Sequence, residues 1–111
     1  MSWDATLICS HGYQADKDWN YTYNTTFMTI EAAKNIGIEW NGFQDTLNGM
    51  SALDGAELLA KICDELVRNS VKYDPMNPPN GWGDREGIVR VMRDMIDAGL
   101  SVVEDVYWRI T

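Results

Sequence analysis

Basic charge is what this chain has least of. Nine Lys and Arg stand against 17 Asp and Glu, for a net charge of −8. Binding to a nucleic-acid backbone draws its affinity from clustered cations that neutralise phosphates and release counterions. Nine cations scattered along 111 residues supply no such cluster. Direct nucleic-acid binding is therefore not expected. An acidic surface repels nucleic acid and anionic membranes and favours basic protein partners. Its simplest consequence is solubility.

Metal ligands and nucleophiles are scarce too. Histidine occurs once, at His11, and cysteine twice, at Cys9 and Cys63. A structural zinc site wants four ligands, usually in closely spaced pairs. That pairing is absent, so no metal is expected. The run "CSH" at 9–11 sets a thiol two residues from the imidazole. A working nucleophile needs a base within hydrogen-bond reach, and nothing local builds that geometry. The carboxylates of "DREG" and "RDMID" read as the solvated face of a helix. No catalytic residue and no cofactor are assigned, and the expectation is a non-enzymatic protein.

Long apolar runs are missing as well. None approaches the roughly 20 residues that cross a bilayer. The start "MSWDATLICS" lacks a basic segment followed by an apolar one, the mark of a secretory leader. Reducing cytosol and free thiols are expected, and the two Asn-x-Thr triplets at 20–22 and 24–26 then carry no meaning.

What is present fits a single domain over 1–111, with 45% hydrophobic and 23% charged residues. "DATLICS" at 4–10 reads as a strand and 11–18 as a polar loop. "WNYTYNTT" at 19–26 alternates aromatic and polar residues, which predicts a strand with Trp19, Tyr21 and Tyr23 on one face. A helix is predicted over 27–37, with Thr26 or Asn24 to cap it and Gly37 to end it. Ser51 opens a second helix through "SALD", with an apolar stripe of Leu59, Ile62, Cys63 and Leu66. Asp84 caps a third over 85–98, striped by Ile88, Val91, Met92, Met95 and Ile96 and ended by Gly99. A last strand is predicted over 101–110. The fold class is α+β: three helices on one face of a small, mainly antiparallel sheet of two to four strands. Exposed sheet edges predict a homo-oligomer that pairs them.

Two segments concentrate unusual chemistry. "NPPNGWGD" at 77–84 holds two prolines, two asparagines, two glycines and Trp82. Its prolines stiffen the backbone and its glycines allow positive φ or close approach. Trp82 then either anchors the core or forms one wall of a pocket. "WNYTYN" at 19–24 offers rings for stacking and amides for hydrogen bonding. Converging, the two segments would make an aromatic pocket with a few polar groups, the usual composition of a small-molecule site.

These stretches also carry a resemblance. "WNYTYNTTFM", a central "LDGAELL" helix and "YDPMNPPNGWGDREGIVRVMRDMIDA" resemble a family of small uncharacterised bacteriophage proteins, over residues 19–110. An "NPxNGWG" loop before a helix is its most specific element. The resemblance implies a phage accessory protein in the host bacterial cytoplasm, with no activity to carry over. By analogy with small phage proteins that antagonise host defence, it suggests capture of a small nucleotide-like ligand, such as a defence signalling molecule. Trp19, Tyr21, Tyr23 and Trp82 would stack on the base. Asn20, Asn24, Asn77 and Asn80 would bind base and ribose. Arg85 and the N–H groups of 83–86 would meet phosphate. The alternative is an acidic, anti-CRISPR-like inhibitor that occupies the basic surface of a host nucleic-acid-binding defence complex.

Overall fold

The computed structural model of the chain describes residues 2–9, 14–102 and 105–111, and for 14–17 the backbone only. His11 lies outside these residues. The sheet has three strands in the order β2-β1-β3: β1 is Ser2–Cys9, β2 is Gln14–Thr22 and β3 is Val106–Ile110. Both pairings are antiparallel. One face of the sheet carries the helices α1 (Thr26–Asn35), α2 (Ala52–Arg68) and α4 (Arg85–Leu100); α3 (Ser70–Tyr73) is a single turn after α2. This is the expected α+β fold.

Register explains the layering. Trp3 pairs with Tyr21, Ala5 with both Trp19 and Ile110, and Leu7 with Trp108. Residues directly opposite share a face, so these rings and aliphatic chains all point at the helices. The other face carries Asp4, Thr6, Asp18, Asn20 and Arg109. Trp3 stacks on Phe43 at 4.1 Å, and Phe43 meets Trp40 edge-on at 5.1 Å, which ties the segment after α1 to the central strand.

Trp108 is the pin between sheet and helices. It is fully buried, and its Nε1 donates to Ala52 O at 3.2 Å. A Cβ on Gly55 would land on its ring, and a Cβ on Gly99 would sit 2.8 Å from Ala56 Cβ and 3.1 Å from the indole. Gly99 therefore does not end the last helix as expected. It lies within α4, where a missing side chain lets α2, α4 and Trp108 meet closely.

Several boundaries shift for similar reasons. β2 begins at Gln14, inside the expected loop, because its backbone pairs along β1. It stops at Thr22. Tyr23 and Asn24 leave it in a 3-10 turn, Tyr23–Thr25, whose first N–H groups are met by Thr22 Oγ1 accepting from Asn24 N. Neither Thr26 nor Asn24 caps α1: Thr26 is its first residue, and the hydroxyl is buried without a partner. Gly37 does end α1. It takes φ +73°, with Ile38 N donating to Ala33 O and Gly37 N to Lys34 O, the paired bonds of a glycine C-cap. Ser51 and Asp84 cap α2 and α4 as expected, accepting from Asp54 N at 3.1 Å and Gly87 N at 2.6 Å. The last strand starts at Val106, not at 101.

The two sheet edges differ. Along β3 the outer edge is sealed by residues 48–51. Trp108 N donates to Met50 O, Gly49 N to Trp108 O, both at 2.8 Å, and Ile110 N to Asn48 Oδ1 at 2.9 Å. No strand pairs with the outer edge of β2 among the described residues.

Candidate functional site

The loop between α3 and α4 explains its own composition. A 3-10 turn, Asp74–Met76, starts it, with Pro75 where no N–H is needed. Gly81 N donates to Pro78 O at 3.4 Å, closing a turn around Pro79 and Asn80, and Gly81 takes φ +76°. Asn80 Oδ1 accepts from Trp82 N at 3.0 Å. Asn77 Oδ1 reaches forward to accept from Arg85 N at 2.8 Å, beside the Asp84 cap. Gly83 takes φ +92° and lies so close to β2 that a Cβ there would be 2.5 Å from Thr22 Cγ2. Tyr21 completes the junction: its Oη accepts from Asp84 N at 3.1 Å and covers Gly87, whose Cβ would overlap it.

One large side chain is left out of this network. Trp82 is 65% exposed, whereas Trp3, Trp19, Trp40 and Trp108 are each 7% exposed or less. The core-anchor reading of Trp82 is thereby corrected, since a ring so exposed anchors nothing. Trp82 instead faces the end of β2 across an open groove of about 420 Å³. Gly81, Trp82 and Gly83 form one wall, and Ser2, Asn20, Tyr21 and Thr22 the other. The amide of Asn20 is exposed and has no hydrogen-bond partner among the described residues.

Of the residues expected to bind a ligand, the fold brings Asn20, Tyr21 and Trp82 together. Trp19 is in the core, donating Nε1 to Asp94 Oδ2 at 2.8 Å and tilted against Trp108 at 5.6 Å, so its face is not available for stacking. Tyr23 and Asn24 sit in the turn after β2 and do not line the groove. Asn77 and Asn80 use their side-chain oxygens on the loop's own backbone.

The phosphate cradle expected at 83–86 is also corrected. Arg85 N is taken by Asn77 and Gly87 N by Asp84, and the Asp84 carboxylate already fills the place of an anion at the helix start. The Arg85 guanidinium binds Asp74, reaches Leu66 O, and has a side chain only 12% exposed.

Sequence reasoning missed Ser2 and Thr22, which join the groove because β1 pairs Ser2 with Thr22 at the mouth of the sheet. Alternation along β2 was the available signal, since Thr22 follows Asn20 on the same face.

Elsewhere the chemistry is quieter. Cys63 is buried, which pushes its thiol above the ordinary 9.0, partly offset by Arg93 beside it. An activated nucleophile needs the opposite shift. On the open face of the sheet a shallow cleft is lined by Asp4, Thr6, Asp18, Arg109 and Thr111, so a cation breaks the acidic surface there. No group of three or more His, Cys, Asp or Glu is placed to hold a metal among the described residues. No described helix is long and apolar enough to cross a membrane.

No protein-family model matches the chain, and neither a curated protein nor a solved structure matches it.

Proposed function

We propose that the protein is a non-enzymatic binding module whose groove between Trp82 and the end of β2 takes a small, planar, nucleotide-like ligand. The carrying observation is the exposed indole of Trp82 opposite Tyr21 and the free Asn20 amide. A flat ring stacks on the indole face, and such stacking contributes about 1–3 kcal/mol per base. An amide presents both a donor and an acceptor, and so can read the edge of a base. The loop is already fixed by its own hydrogen bonds, so little ordering cost attends binding. The resemblance to bacteriophage proteins supports a setting in the infected bacterial cytoplasm, with a base-bearing molecule of host defence as the ligand class.

Tryptophan fluorescence provides the test. With four indoles buried, iodide or acrylamide quenching reports on Trp82. Titration with a panel of nucleosides and nucleotides should shield this quenchable emission, and Trp82→Phe should abolish the response. An unchanged quenching curve at millimolar ligand across the panel would sink the proposal.

A further inference from the structure

The groove has shape and hydrogen-bonding groups but no charge of its own. Its lining, Ser2, Asn20, Tyr21, Thr22, Trp82 and two glycines, contains neither a cation nor a carboxylate. A phosphate bound near Trp82 would need a positive partner close by. The nearest elements that usually provide one are spent internally. The start of α4 carries Asp84 and Glu86, and two of its first N–H groups, those of Arg85 and Gly87, meet Asn77 and Asp84. Arg85 is held by Asp74. The whole chain adds a field of net charge −8. Anions are thus disfavoured at long range and, among the described residues that line the groove, have no compensating charge at short range.

We infer that the groove selects an uncharged ring, a free nucleobase or nucleoside, over the phosphorylated form of the same molecule. The inference rests on the Trp82 groove being a ligand site. The base lies on the indole, the Asn20 amide reads its edge, and the Ser2 hydroxyl reaches the sugar or a ring substituent. An anionic signalling nucleotide then fits only with its phosphates turned out into solvent.

The measurement is calorimetric titration of the full chain with adenosine, guanosine, cytidine and uridine, and with each 5′-monophosphate. Each is run at about 0.01 M and about 0.15 M salt, where the screening length falls from about 30 Å to about 8 Å. At least one nucleoside should bind, and its monophosphate should bind more weakly, by about tenfold or more at low salt. Adding salt should narrow that gap, because repulsion is screened. A phosphate held by direct contacts would respond in the opposite sense, losing affinity as salt rises. A monophosphate that binds as tightly as its nucleoside, or more tightly, overturns the inference and leaves the groove itself standing. Absence of binding by all eight compounds overturns the groove reading and the inference with it. Asn20→Ala should weaken nucleoside binding without moving the salt dependence, and a shift of that dependence would count against the assigned contact.

Discussion

Trp108 sits fully buried where α2, α4 and the sheet converge, whereas Trp82 stands 65% exposed on the loop that leads into α4. Both are flanked by glycines, for different reasons. Gly55 and Gly99 are helical and empty of side chain, so that the Trp108 indole can fill the space between two helices. Gly81 and Gly83 have positive φ, and bend the chain so that Trp82 is carried outward against the end of β2. Glycine against a large aromatic therefore serves two ends, and only around Trp82 is it adjacent in sequence, since Gly55 and Gly99 reach Trp108 from other parts of the chain. One is a packing slot, the other a presentation device. The backbone conformation of the glycine separates them.

Substitution should break the symmetry of these two residues. Trp108→Ala empties a slot that the surrounding helices cannot close, and should cost about 3–5 kcal/mol in a denaturant melt. A loss below about 1 kcal/mol would mean that Trp108 is not the pin between the layers. Tyr73, buried at the point where the helical layer gives way to the loop, should fall between the extremes. Its hydroxyl donates to Glu65 Oε2 at 2.6 Å and accepts from Asn35 Nδ2 at 3.0 Å. Tyr73→Phe should cost about 1–2 kcal/mol.

Tyr73 also gives a pH signature. Burial raises its hydroxyl above the ordinary 10.0, with the Glu65 carboxylate adding to the rise and the Asn35 bond opposing it. The folded state thus holds the proton longer than the unfolded chain. The stabilisation is complete below pH 10 and is lost as pH climbs through the folded value. Cys63, raised by burial from 9.0, adds a loss of the same sign that begins slightly lower. Stability measured from pH 8 to 11 should decline at the alkaline end, and less steeply in Tyr73→Phe. An identical decline in the variant would remove Tyr73 from the account.

Trp82→Ala should have the smallest effect on stability, within about 0.5 kcal/mol, as for a surface site. It should nonetheless remove the emission most open to iodide. A larger loss of stability would show that Trp82 supports the loop as well as facing the groove.

Much of this was legible from periodicity and caps. The α2 and α4 stripes and the Ser51 and Asp84 caps follow from spacing and hydroxyl or carboxylate chemistry that act over three or four residues. That "NPPNGWGD" and "WNYTYN" are special also showed, because both carry residues that neither strand nor helix needs, but the sequence leaves open their meeting at Gly83 and Thr22. Two of the failures are tertiary. Trp19 alternates with Tyr21 and looked equally available, yet the register with Ala5 and the bond to Asp94 draw it into the core. Asn77 and Asn80 looked like ligand contacts, but they satisfy the N–H groups of Arg85 and Trp82. Gly99 looked like a stop signal, and only the closeness of α2 reveals its use. Trp19 and Gly99 answer to partners far along the chain, which local spacing cannot encode, whereas Asn80 and Asn77 turn on backbone two and eight residues away, whose conformation residue type alone leaves open.

The seal that residues 48–51 place along β3 also governs how copies of this chain can associate. With one side closed and no strand on the outer edge of β2 among the described residues, the sheet offers a neighbour a single edge. Two copies joined through β2 would merge two three-stranded sheets into one of six, sealed at both outer ends. An edge-paired assembly through β2 would therefore close as a two-fold dimer, because the described residues offer no second open edge from which the sheet could grow.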